Sequence, residues 1–130
     1  MAIDDSAFDL TGTYIQLDDG PDARPIPVGN DFWEKLGQRT DLHGGRLVMV
    51  GHQSADWPNW EIHPAGEEIL YLISGALNLV LQKDGPERVV ELRAGKAFIV
   101  PRGTWHTAMV REPGEMLSIT RGAGTQHRPR

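Results

Sequence analysis

The chain contains no cysteine. This removes disulfides, a thiolate nucleophile and Cys-ligated zinc from consideration. Long apolar runs are missing as well. The longest, Ile69-Leu70-Tyr71-Leu72-Ile73, has five residues, whereas a membrane-spanning helix needs roughly 20. The N-terminus Met1-Ala2-Ile3-Asp4-Asp5 lacks the basic, then apolar pattern of a secretory signal, so the expected compartment is the cytoplasm. No stripe of lysine and arginine runs along the chain, which argues against a nucleic-acid partner. A nucleophile elbow, a Walker loop and a dinucleotide fingerprint after a strand are all absent. Gly122-Ala123-Gly124 reads as a flexible turn.

What remains is the composition of an ordinary folded domain. Of 130 residues, 39% are hydrophobic and a further 15 are glycine, the normal apolar share of a globular protein. The net charge of −5 is unevenly spread. Residues 1–31 carry seven aspartates against the single Arg24, and the other 99 residues hold 11 acids and 12 bases. The acidity therefore belongs to the N-terminal segment, and the body is nearly neutral.

Fifteen glycines and nine prolines fall at short intervals between runs rich in Val, Ile, Leu and aromatics. Strands are predicted at 13–17, 46–52, 60–63, 68–73, 76–82, 88–92, 97–100, 105–110 and 115–120. Ser74-Gly75, Asp84-Gly85-Pro86, Ala94-Gly95, Pro101-Arg102-Gly103 and Pro113-Gly114 punctuate them. Many short strands separated by turns indicate an all-β sandwich or barrel. One short helix is expected at Asp31–Leu36, capped by Asn30 or Asp31 and stopped by Gly37. Residues 1–30 read as an extended arm with one strand, 31–125 as the barrel, and 126–130 as a basic tail.

The chemistry concentrates in Trp60-Glu61-Ile62-His63-Pro64-Ala65-Gly66-Glu67-Glu68. Side chains at i and i+2 of a strand share a face, so Glu61 and His63 project together. Pro64 turns the chain through Gly66, and Glu68 opens the next strand close to His63. Such a hairpin gathers N and O ligands at one point, the mixture a divalent first-row cation requires.

These residues resemble the cupin family. Its first motif is a glycine, five residues, His-x-His, three or four residues, Glu, six residues and glycine. This chain has Glu61-Ile62-His63, four residues, Glu68, six residues and Gly75. The second motif is glycine, five residues, Pro-x-Gly, two residues, His, three residues and Asn. Here it reads Gly95, five residues, Pro101-Arg102-Gly103, two residues, His106, three residues and Val110. The spacing agrees over residues 61–110. Glu61 replaces the first histidine, Ala55 the first glycine and Val110 the closing asparagine.

The resemblance implies an all-β fold, a double-stranded β-helix or jelly-roll barrel of the small single-domain type. It also implies a divalent metal inside the barrel, carried by Glu61, His63, Glu68 and His106. Two Glu and two His would neutralise a divalent ion and suit Mn, Fe, Zn or Ni. Glu61 has a second reading as the ion-pair partner of an arginine at the barrel mouth, which leaves three ligands. Glu67 is expected in solvent, unless a tighter turn makes it the ligand in place of Glu68. Alternatively, His63 and His106 are structural histidines.

Other residues take plainer readings. His43 and His52 are ordinary polar residues, and His127 lies in an exposed tail. Trp33, Trp57, Trp60 and Trp105 belong to core or interface. Trp105 and Ile62 face away from the metal. Leu70, Leu72, Ala108 and Val110, with Met49 and Gln53, are expected to line the pocket, and Arg46 and Arg102 are the candidates for contacting an anion.

The expected partner is a small organic molecule, with a homodimer as the expected assembly. The function implied is a metal-dependent enzyme of dioxygenase, isomerase or lyase type. A non-catalytic sensory or regulatory module is the alternative, and a metal-free cupin using His63 and Glu68 as an acid–base pair is a third.

Overall fold

The computed structural model describes residues 6–130, so the first five residues of the acidic arm lie outside the described part. Eleven strands are present among the described residues: β1 Thr13–Leu17, β2 Ala23–Pro27, β3 Arg46–Gln53, β4 Asn59–Ile62, β5 Glu68–Leu72, β6 Ala76–Gln82, β7 Arg88–Arg93, β8 Ala97–Val100, β9 Trp105–Glu112, β10 Gly114–Thr120 and β11 Gln126–Pro129. They form two antiparallel sheets. The six-stranded sheet runs β2-β1-β3-β10-β5-β8 and the five-stranded sheet runs β11-β4-β9-β6-β7. This is the jelly-roll arrangement. No helix among the described residues is long and apolar enough to cross a membrane.

Alternation along the strands makes the core. On β6, residues of one parity, Leu77, Leu79 and Leu81, are buried, while their neighbours are half-exposed. Leu70 and Leu72 of β5, Leu92 of β7, Val100 of β8, Ala108 of β9 and Met116 of β10 close the same cluster between the sheets. Gly75, at the β5–β6 turn, has φ +85°, and a Cβ there would meet the Glu112 carbonyl oxygen at 2.6 Å. Only glycine lets the two hairpins approach at that point.

The N-terminal segment is not an arm with one strand. It is a β1–β2 hairpin, and β1 pairs with β3, extending the larger sheet. The two prolines of β2 conceal it in the sequence, since proline cannot donate to a ladder. Val28 N–H donates to Gly12 O, and Asp22 O accepts from Asp18 N–H, so even-numbered residues bond to β1. Pro25 and Pro27 therefore turn their missing donors to the free edge. The basic tail is likewise a strand, β11, paired with β4.

The helix is shorter than expected. Phe32–Lys35 forms α1, followed by 3₁₀ turns at Leu36–Gln38 and Thr40–Leu42, so Gly37 lies inside a turn and does not end the segment. Asp31 makes no side-chain cap bond and instead pairs with Lys35 at 3.0 Å. Phe32 packs with Tyr14 and Ile26 in a second apolar cluster, flanked by Leu36, Leu42, Leu47 and Met49.

Candidate metal centre

Two rows of side chains, one from each sheet, face each other at one end of the barrel. In the smaller sheet, His127 pairs with Glu61 and Glu61 pairs with His106, a straight line across β11, β4 and β9. In the larger sheet, Gln16 pairs with Leu47 and Leu47 with Thr120, whose hydroxyl donates to Glu68 Oε2. His63 follows β4 immediately, two residues beyond Glu61, and shares its face.

Glu61, His63, Glu68 and His106 converge. Each offers one ligand atom, and the four atoms lie within 4.8 Å of one another. His106 Nε2 is 3.1 Å from Glu68 Oε1, and His63 Nε2 is 3.4 Å from Glu68 Oε2. Glu61 Oε2 is 3.8 Å from both imidazole Nε2 atoms. Ligands at a metal bond length of ~2.1 Å stand about 3.0–3.4 Å apart when adjacent; the two Glu68 gaps fall in that range and the two Glu61 gaps a few tenths of an ångström beyond it.

The protonation pattern points the same way. His106 Nδ1 donates to the Thr104 carbonyl at 3.0 Å, so its Nδ1 carries the proton and its Nε2 is the atom turned to Glu68. His63 Nδ1 lies 2.8 Å from the Thr125 hydroxyl, and its buried Nε2 has no hydrogen-bond partner. An orphaned ring nitrogen buried beside two carboxylates is what a site built for a cation leaves when the cation is not there. Without one, a proton must serve. Burial pushes the Glu68 carboxyl up, but the hydrogen bond from His106 and the nearness of both imidazoles outweigh it and hold it at about 2. Burial pulls His106 down, but the hydrogen bond and charge of Glu68 carry it above its ordinary value.

Glu61 is the most exposed of the four, and its other oxygen, Oε1, lies 3.2 Å from His127 Nε2. No arginine takes it. His127, read in the sequence as an exposed tail residue, is thus joined to the site. Its only signal is the β4–β11 register, which spans 66 residues. Thr120 and Thr125 were also missed, since neither stands in a recognisable motif. Glu67 is exposed, and Glu68 is the residue turned inward.

A cavity of about 720 Å³ opens above Glu61, His63 and Glu68, with His106 buried behind them. Its walls correct the expected lining. Leu70, Leu72 and Ala108 lie deeper, as core, and Val110 sits half-buried on the far part of β9. Gln53 instead accepts a hydrogen bond from Trp57 Nε1 at 2.7 Å. Met49 does border the cavity, together with Gln16, Trp33, Leu42 and Leu47, and neither Arg46 nor Arg102 reaches it. Trp105 faces outward as expected, with Arg128 stacked 4.4 Å from its ring centre and 5.2 Å from that of Trp60. Trp57 stands edge-on to the His106 ring, 6.1 Å away.

A family model for the cupin domain matches residues 46–120. The chain belongs to the cupin family. The two segments that flank this match, β1 to the 3₁₀ turns and the stretch through β11, supply most of the cavity's outer wall. No curated protein matches the sequence.

Among solved structures, a cupin-2 domain protein from Shewanella frigidimarina is 18% identical, with 88% of this chain and 83% of that one covered at a TM-score of 0.50. A mutant of Bacillus subtilis oxalate decarboxylase is 22% identical over 65% of this chain and 23% of that one, with a TM-score of 0.54. Hydroxypropylphosphonic acid epoxidase from S. wedmorenis is 15% identical over 58% of this chain, with a TM-score of 0.50. This cupin spans 42% of the epoxidase's length. At these identities the likeness concerns the fold.

Proposed function

We propose that this cupin holds one divalent metal ion at Glu61, His63, Glu68 and His106 and acts as a metal-dependent enzyme on a small organic molecule, of dioxygenase, isomerase or lyase type. The observation that carries the reading is the unpartnered His63 Nε2, buried within 3.4–3.8 Å of two carboxylates. The names of the structural neighbours support it: a decarboxylase described for its Mn(II) centres, a dioxygenase in complex with Cd2+, and an epoxidase.

A bound ion would supply Lewis acidity toward an oxygen of the substrate. The protein's own contribution lies in its ligand shell. Thr104 and Thr125 fix the two imidazoles with Nε2 inward. Thr120 orients Glu68. Glu61, half open to the cavity and bonded to His127, is the carboxylate placed to exchange a proton with a bound molecule.

Elemental analysis after loading with Mn, Fe, Ni and Zn in turn tests the metal. About one equivalent is expected, and His63→Ala and His106→Ala should each abolish it. No metal above background with any of the four overturns the proposal. Tight ligand binding with no product over long incubation would replace the enzyme with a non-catalytic binding module.

A further inference from the structure

We propose that the cavity selects an uncharged organic molecule with an apolar body, and that residues outside the matched cupin segment make that selection. The inference rests on the metal reading above, because the metal end of the cavity is where the molecule's oxygen-bearing head would sit. Three independent observations carry it.

The first is the lining. Among the described residues around the 720 Å³ space, none is lysine or arginine. The side chains that would meet the body of a ligand are Leu36, Leu42, Leu47, Met49 and Trp33. That volume suits a small molecule, and apart from the imidazoles of His43, His63 and His127 its walls offer an anionic substituent no side chain able to carry positive charge.

The second concerns three arginines on segments that border the cavity, each of which is already engaged. Arg24 pairs with Asp18 at 2.7 Å, Arg39 with Asp41 at 2.9 Å and Arg121 with Asp19 at 3.1 Å. Asp19 lies beside Gly44, which borders the cavity. Asp18 and Asp19 of the acidic N-terminal segment, with Asp41, thus hold in ion pairs three guanidiniums that a charged ligand would otherwise recruit.

The third is the polarity that remains. Gln16 is buried and donates to Gly44 O at 2.6 Å, and Thr120 and Thr125 are hydroxyls. These groups are neutral, and of the two further imidazoles on the wall, His43 and His127, the second is already bonded to Glu61. At the metal end, Glu61 and Glu68 cancel the charge of a divalent ion, so the centre itself does not attract a multiply charged anion. Leu36, Leu42, Trp33 and Gln16 all precede residue 46, where the family match begins.

Three hydroxamic acids of one head group separate head from body: acetohydroxamic acid, octanohydroxamic acid and the eight-carbon analogue whose tail ends in a carboxylate. Calorimetry on the Mn-loaded full chain should show the octano probe binding about tenfold or more tighter than either of the others. Equal affinity of the two long probes, or no gain over the acetyl probe, overturns the proposal. Leu42→Arg, with metal content as the check on folding, should shift preference toward the carboxylate tail, and an unchanged ranking counts against this wall.

Failure of the chain to take up metal sinks the proposed function separately. The body is then read on the metal-free chain, through tryptophan fluorescence with 1-octanol against octanedioate. A response to octanol alone sustains the selection, and a response to the dianion as strong refutes it.

Discussion

The matched barrel and the segments that flank it differ in how they treat polar groups. In the barrel, His106 is fully buried and Glu68 is 5% exposed, sunk among leucines and tied to each other. In the flanks, Trp33 is 55% exposed and His127 is open to solvent on one side. The barrel holds a few groups rigidly at high desolvation cost, which a reactive centre requires. The flanks cover that centre with more exposed side chains and touch it at two points, Thr125 on His63 and His127 on Glu61. On the function proposed above, reaction class would reside in the barrel and ligand choice chiefly in the flanks.

This division is open to attack at several strengths. The largest effect is expected from Leu79→Ala, which empties a fully enclosed position of the core; it should cost about 2–5 kcal/mol in denaturant unfolding. A smaller loss would mean a barrel that collapses easily around a void.

The pH dependence of the metal-free chain comes next. Glu68, held at about 2 against an ordinary 4.5, contributes stability that is present above pH 4.5 and is lost as pH falls toward 2. His106, raised above 6.5, contributes stability that is complete below pH 6.5 and is lost as pH rises through its folded value. Melting temperature should therefore be highest between these limits in the metal-free chain. Metal should abolish the decline on the alkaline side, because the ion then replaces the proton; a decline unchanged by metal breaks the assignment.

In the flanks, Arg128→Ala removes the contact with Trp60 and Trp105 and should cost about 0.5–2 kcal/mol, with faster amide exchange confined to β11 and β4. Exchange accelerated throughout the barrel would show that the two regions are one cooperative unit. The smallest effect belongs to Lys35→Ala, whose exposed partner Asp31 gives no measurable change in melting temperature.

Most of the barrel was legible because its strands carry the alternation and turns that a half-buried sheet requires. Thr13–Leu17, Ala76–Gln82 and Ala97–Val100 coincide with the expected segments, and the others differ by a residue or two at their ends. The two strands that escaped are both sheet edges, where burial does not impose a pattern: β2 carries two prolines and β11 is polar. At the site, the convergence of Glu61, His63, Glu68 and His106 was legible through the resemblance of residues 61–110 to the cupin motifs. The cavity wall was not, since Gln16, Trp33 and Thr125 reach it through pairings that no local window contains. Leu70 and Leu72 were placed on the correct face but at the wrong depth, because alternation specifies a side and leaves the level within the barrel open.

The stacking of Arg128 between Trp60 and Trp105 has a consequence for the opposite side of the sheet. Neighbouring residues of a strand point to opposite faces, so a slip of β11 by one position would exchange His127 for a guanidinium against Glu61. A permanent cation at that carboxylate would compete with any metal for it. The two indoles on the outer surface act as a stop, keeping the terminal strand in the one alignment that leaves Glu61 available.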